Sequence, residues 1–193
     1  MKVIYFSLNA LIIILKECFK GGRNLETGGI LISPKSNKKI ITDFIPSTIY
    51  AERKTTTYYQ SVKDVQFLNM KLRQFQKVKK DFAGYIHTHC FGLSQMSVGD
   101  IETCKEILLS PNYKINNYLI MCIVVECDGK LPLYSYSASL DKENNVLVEK
   151  LAIKVFPNSY IKDGVEIFSS IKGKGARENE AIVHRQRPRK IEV

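Results

Sequence analysis

Apolar and polar residues change their spacing several times along the chain, and each change marks an element. Val3 to Ser7 reads as a first strand and Leu8 to Phe19 as a buried helix, ended near Gly21-Gly22. Glu26 to Ser33 reads as a second strand and Ile40 to Ile45 as a third. The turn Pro34-Lys-Ser-Asn-Lys-Lys39 joins them into a hairpin. From Ser61 to Lys80, Val62, Val65, Leu68, Leu72, Phe75 and Val78 recur at three- and four-residue steps, which predicts an amphipathic helix burying one stripe. Phe82 to His87 is a short buried strand. Ser97 to Leu109 is a second long helix with Ile101, Cys104, Ile107 and Leu108 inward, stopped by Pro111. Tyr118 to Glu126 is an almost unbroken apolar run before Asp128-Gly129, which fits a central strand covered on both faces and then a tight turn. Leu131 to Ala138 and Val146 to Phe156 supply two more strands, and from Pro157 the periodicity stops. These elements make one α/β domain over residues 1–156, a sheet with flanking helices, followed by an extension over 157–193.

Composition leaves that picture intact, and charge adds to it. A chain of 193 residues with 45% apolar and 25% charged residues is long enough for one domain with a real core. The formal net charge of +10 points to an acidic partner, a protein surface or nucleic acid. Seven basic and three acidic residues between Lys172 and Val193 place part of that excess in the extension. Lys63, Lys71, Arg73, Lys77, Lys79 and Lys80 line the polar faces of the 61–80 helix, either as a solvated surface or as a track for phosphates. Five cysteines, at 18, 90, 104, 122 and 127, form no paired zinc-ligand pattern and read as reduced thiols of a cytoplasmic protein. The apolar start could pass for a secretory signal, but it meets Lys16 and Glu17 with no small-residue cleavage site, and it is too short to span a bilayer. No membrane association is expected. The Thr- and Tyr-rich stretch from Pro46 to Gln60 is a loop, either a plain connection or a handler of substrate.

The chemistry concentrates in Phe82-Ala-Gly-Tyr-Ile-His87-Thr-His89-Cys-Phe-Gly-Leu-Ser-Gln-Met-Ser97-Val-Gly-Asp100. Residues two apart on a strand share a face, so His87 and His89 present two imidazoles side by side. Ser97 and Asp100 fall on neighbouring positions of a helical turn. Two nitrogens and one carboxylate oxygen make a three-ligand zinc site whose fourth tetrahedral position is open to water, as in hydrolases. A blander reading stands beside this one: Ser-x-x-Asp resembles a capping box, and two strand histidines can be a satisfied core pair. There is neither a His-Glu-x-x-His helix nor a deaminase pairing of His-x-Glu with Cys-x-x-Cys. His184, in the basic extension, reads as an ordinary solvated residue.

The run His87-x-His89-x7-Ser97-x2-Asp100 resembles the JAMM motif of the JAB/MPN zinc metallopeptidases. That family also uses an upstream glutamate, which in bacterial members commonly opens a Glu-x-Gly-Gly-apolar strand; Glu26-Thr-Gly-Gly-Ile-Leu-Ile matches. The resemblance covers about residues 1–156 and implies the cytidine-deaminase-like JAB/MPN fold, a mixed sheet flanked by helices. It implies Zn2+ on His87, His89 and Asp100, Glu26 as general base, and Ser97 as a hydrogen-bond donor to the oxyanion of the tetrahedral intermediate. One position departs: where the family usually has proline after the second histidine, this chain has Cys90, read as a small hydrophobic filler. The implied activity is an isopeptidase or peptidase cutting after the C-terminal residue of a ubiquitin-like protein, or freeing a nucleotidyltransferase from its conjugate in a CBASS-type anti-phage pathway; the cognate conjugating enzyme is a further candidate partner. Processing of a ubiquitin-like or sulfur-carrier precursor is an alternative. A non-catalytic scaffold or a basic nucleic-acid-binding module is the alternative from another class. Glu26-Thr-Gly-Gly is also expected to offer a strand edge to an extended substrate tail.

Overall fold

A computed structural model of the chain describes residues 2–20, 24–90, 92–113, 115, 117–125 and 130–157. The expected stop at Gly21-Gly22, the Asp128-Gly129 turn, Cys127, His184 and the extension from Asn158 onward lie outside them.

The hairpin reading of the second and third strands leads to the architecture. Strand β1 (Val3–Ser7) runs into helix α1 (Leu8–Lys20), then β2 (Gly28–Pro34) turns into a segment split as β3 (Ile40–Ile41) and β4 (Asp43–Pro46). Only Thr42 separates the two pieces, yet they pair at opposite ends of the sheet. Ile40 and Ile41 lie beside Tyr5 and Phe6 of β1, whereas β4 pairs antiparallel with β2. The Thr42 amide donates to the Ile32 carbonyl, and its own carbonyl accepts from the Ser7 hydroxyl, which also caps α1 at Ala10. The crossing therefore leaves neither backbone group of Thr42 without a partner. With β7 (Lys80–His89), β8 (Leu119–Val125), β9 (Leu133–Leu140) and β10 (Val146–Phe156), the order is β3-β1-β10-β9-β8-β7-β2-β4. Because β3 and β4 are one segment, this eight-stranded mixed sheet is nearly closed on itself.

Helices cover both faces of the sheet. Ala10, Leu11 and Ile14 of α1 pack with Phe6, Leu31, Ile86, Ile120 and Val124 on one side. On the other side α2 (Val62–Lys77) and α3 (Val98–Leu109) place Leu68, Cys104 and Ile107 against Ile30, Ile32, Phe82, Leu119 and Met121. Strand β8 is buried along its whole length, as its continuous apolar run requires. The chain is thus a mixed α/β protein with a large sheet between helices, and among the described residues no helix is long and apolar enough to cross a membrane.

Two stripe readings need correction. In α2 the buried line runs from Asp64 through Leu68, with Leu72 and Phe75 packed beside it; Val62 and Val78 are 73% and 64% exposed, because no element covers the helix ends. Asp64 takes the inward place since its carboxylate accepts from the Thr48 amide and hydroxyl at 2.6 and 2.7 Å. In α3, Ile101 stands exposed while Cys104 and Ile107 face inward. The 46–60 loop also carries a short ribbon, β5 (Glu52–Arg53) with β6 (Tyr58–Tyr59). Among the described residues Cys18, Cys90, Cys104 and Cys122 form no disulfide, and burial pushes Cys104 and Cys122 up to about 12.

Strand β7 carries the histidines, and its contact with β8 leaves no room for a side chain at Gly84. A Cβ there would stand 1.7 Å from the Ile120 carbonyl oxygen, a backbone atom that cannot turn aside. Gly84→Ala should therefore lower stability by on the order of 3 kcal/mol or more, beyond the usual range for a single substitution. Urea unfolding against wild type measures this; a change below about 1 kcal/mol would contradict the packing described.

Candidate metal centre

Three elements converge on the site. His87 and His89 share the inner face of β7, both 7% exposed. Their Nε2 atoms approach to 2.9 Å, and the Asp100 carboxylate from α3 reaches His87 Nε2 at 3.1 Å and His89 Nε2 at 3.5 Å. The three potential ligand atoms lie within 4.8 Å of one another. All three side chains point at one spot, and the ring nitrogens lying nearest it are chemically alike.

The surroundings of His89 test whether that spot suits a cation. His89 Nδ1 is 2.7 Å from the Leu93 carbonyl, which can only accept. The Nδ1 proton is therefore placed on that carbonyl, and in the neutral ring Nε2 presents a lone pair toward His87 and Asp100. A histidine with one nitrogen held by a backbone carbonyl and the other turned toward the remaining donors is the usual arrangement of a metal ligand. Two imidazoles and one carboxylate are a donor set that zinc accepts. The residues fit the ion.

Ser97 and Asp100 form the capping box that their spacing resembles. The Asp100 amide donates to Ser97 Oγ at 3.2 Å, and Asp100 Oδ2 accepts from the Ser97 amide and hydroxyl at 2.7 and 2.8 Å, a complete capping box at the start of α3. One carboxylate oxygen is thereby anchored, and Oδ1 faces His87. The cap aims this carboxylate at the histidines. Upstream, the Tyr136 hydroxyl donates to the Ser94 carbonyl at 2.7 Å, holding the loop that supplies the Leu93 carbonyl. Cys90, next to His89, is half-buried.

Glu26 arrives from the segment that leads into the neighbouring strand β2. In the antiparallel β2–β7 ladder Gly28 pairs with His87, and the ladder continues outward through the Thr88 amide donating to the Thr27 carbonyl at 2.8 Å. One step further the register sets Glu26 opposite His89, on the same face as both histidines. Gly28 makes this approach possible, since a Cβ there would meet the Ile86 carbonyl oxygen at 2.2 Å. The expected free edge of Glu26-Thr-Gly-Gly is absent. Gly28 pairs with β7 and accepts from the Ser47 amide, Gly29 pairs with Ile86 and Pro46, and the Glu26 amide donates to Lys54. A substrate tail cannot add to β2.

Electrostatics divides the carboxylates. Burial pushes the Glu26 carboxyl up, His87 and His89 draw it back, and Asp100 adds to the rise; the outcome lies above the ordinary value. Burial would also raise Asp100, but hydrogen bonds to His87 and His89 and the charge of His87 hold it well below the usual carboxylate range. For His89, burial favours the neutral ring, and the hydrogen bonds to Asp100 and Leu93 with the charges of Asp100 and Glu26 outweigh it, raising its pKa.

Sequence reasoning placed His87, His89, Ser97, Asp100 and Glu26, and the structure brings all five together. It did not find Thr27, Thr88, Glu17, Arg53 or Tyr136. Glu17 carried a signal: with Ala10 and Ile14 it falls on the inward stripe of α1, where a carboxylate needs a partner.

No family model matches the chain, and no curated protein matches it. Among solved structures, the solution structure of protein DSY2949 from Desulfitobacterium hafniense is similar, with a TM-score of 0.54 at 15% identity over 82% of this chain and 97% of that one. A likeness at that identity concerns the fold alone.

Protons and a divalent ion compete for the same nitrogens, and the raised pKa of His89 lets protons compete from a higher pH than at an ordinary histidine. The chain should bind about one zinc ion, with affinity that falls as pH is lowered and falls steeply below about pH 6.5, the ordinary histidine value. Titration with a competing chelator at several pH values checks this; affinity independent of pH would rule the imidazoles out as ligands.

Proposed function

We propose that the protein is a zinc-dependent peptidase of the JAB/MPN type, acting on the bond after the C-terminal residue of a ubiquitin-like protein or a similarly conjugated protein. The observation that carries this reading is the convergence, from β7, α3 and the segment before β2, of two imidazoles, an anchored carboxylate and a second carboxylate of raised pKa. A structural metal site would have no use for that second carboxylate. The mixed sheet between helices is compatible with the JAB/MPN fold.

His87, His89 and Asp100 would hold the ion. Zinc supplies a Lewis acid and a water acidic near neutrality when bound. Glu26 takes a proton from the attacking water and returns it to the leaving amine. A carboxyl raised toward neutrality suits both halves of that task better than an ordinary one. Asp100, held deprotonated, cannot take that role. Ser97 keeps Asp100 aimed through its hydroxyl, and turning that hydroxyl outward would let it donate to an oxyanion. In this reading one carboxylate binds and the other moves protons.

The substrate reading rests on the resemblance of the motif, with a cytoplasmic deconjugating enzyme in a CBASS-type pathway as its favoured setting and precursor processing as the alternative. The blocked edge of β2 means that an extended tail must be gripped elsewhere.

A fusion ending in glycine before a reporter tests the proposal. Cleavage should stop on chelation and return with zinc. Glu26→Gln should lower kcat by about 10²–10⁴-fold, the usual worth of a general acid–base, while zinc stays bound. Absence of cleavage with zinc bound, or activity that survives Glu26→Gln, would overturn the proposal. DNA affinity that falls steeply with salt and survives chelation would favour a nucleic-acid module instead.

A further inference from the structure

Behind the site, on the face of the Glu26 segment away from the histidines, sits a buried polar hub that the motif does not contain. Its centre is Arg53, on the ribbon strand β5, whose side chain is 19% exposed. Its partner is Glu17 of α1, whose side chain is 3% exposed; Arg53 Nη2 lies 3.3 Å from Glu17 Oε1. Between them stands Thr27. The Thr27 hydroxyl donates to Glu17 Oε1 at 2.9 Å and accepts from Arg53 Nε at 3.1 Å. The remaining guanidinium protons go to the carbonyls of Ser47, Thr48 and Ala51 at 2.9 to 3.3 Å. Next along the chain, the Lys54 carbonyl accepts from the Glu26 amide at 2.8 Å, and the Thr27 amide donates to the Thr88 hydroxyl at 2.9 Å.

Successive residues of an extended segment face opposite sides. Thr27 turns toward Arg53 and Glu17, and Glu26 turns toward His87 and His89. Fixing Thr27 from behind therefore fixes Glu26 in front. Resting on the reading of Glu26 as the proton carrier, we infer that Arg53, backed by Glu17, is a positioning residue that holds the Glu26 segment against the metal ligands. A buried ion pair is a poor source of net stability, since desolvating both charges offsets their attraction, and it is better explained by the one geometry it enforces. Arginine is suited to this hub because a planar fork of five N–H donors can serve a carboxylate, a hydroxyl and several carbonyls at once. Lysine cannot. The hub also ties the 47–51 loop and β5 to α1, so the segment beside Glu26 is held from two directions.

Four measurements on the full chain separate this role from general support of the fold. In Arg53→Ala, zinc affinity should stay within about threefold of wild type, because none of its ligands touches the hub, and KM should change as little. By contrast kcat should fall at least about tenfold, as small misplacements of a catalytic group do. In a double-mutant cycle, Arg53→Ala added to Glu26→Gln should cost little more, since the group being positioned is already disabled. Amide hydrogen exchange on the metal-free protein should speed up at residues 26–28 and 47–54 and stay protected at 84–87, a readout that needs no activity. Thr27→Val, which removes only the linking hydroxyl, should move kcat and exchange in the same direction and replaces Arg53→Ala if that variant does not fold; Arg53→Lys should not restore kcat fully.

Unchanged exchange at residues 26–28, an equal loss of kcat with and without Glu26, or a collapse of zinc affinity would each overturn the positioning role. If wild type cleaves nothing, the peptidase reading fails by itself, and the exchange pattern alone decides whether Arg53 fixes the segment.

Discussion

The pairing of β2 with β7 is the constraint on which the site depends. Strand side chains alternate, so a one-residue slip would turn Glu26 away from the histidines and bring Thr27 in. The register is held at Gly28 opposite His87, at the Thr27–Thr88 bridge, and by glycine at the position where a Cβ would strike Ile86. On its other side β7 lies parallel to β8, with Gly84 against Ile120. The histidine strand is thus clamped between two neighbours that admit no adjustment. The near-closure of the sheet through the β3–β4 segment locks β2 from its far side.

The second organising element is the start of α3. A capping box normally satisfies free amides, and this one does so with the carboxylate that also points at the histidines. Helix termination and ligand aim are therefore the same set of hydrogen bonds. The capping box leaves a chemical reading of Asp100 open, since a carboxylate anchored through one oxygen has the other directed at His87. The Leu93 carbonyl does a similar service for His89, and Tyr136, reaching across from β9, steadies the loop that carries it.

How much of this could be read from residues alone varies by element. The strands and three helices follow from periodicity because each buries a face, and β8 is recognisable because both of its faces are covered. The candidate metal triad was legible because two strand positions and one helical turn bring their side chains together without long-range folding. Glu26 was reached only through a resemblance, since nothing local says that residue 26 will stand opposite residue 89. Hidden altogether was the hub of Arg53, Glu17 and Thr27, whose members are 10 to 36 residues apart and meet only after the ribbon folds over α1. The overstated stripe of α2 has a simple cause: periodicity reports which residues could face inward, and only packing decides how far the covering sheet extends. The strand-edge expectation failed for a related reason, because the hairpin partner that fills the edge of β2 is the same segment that closes the sheet.

The most direct test is anomalous diffraction at the zinc edge from crystals grown with zinc. The account predicts a single peak at ordinary coordination distance, about 2.0–2.2 Å, from Nε2 of His87, Nε2 of His89 and a carboxylate oxygen of Asp100, with the Glu26 carboxylate close by and off the metal. A peak elsewhere, none at all, or Glu26 as a fourth protein ligand closing the site would contradict it.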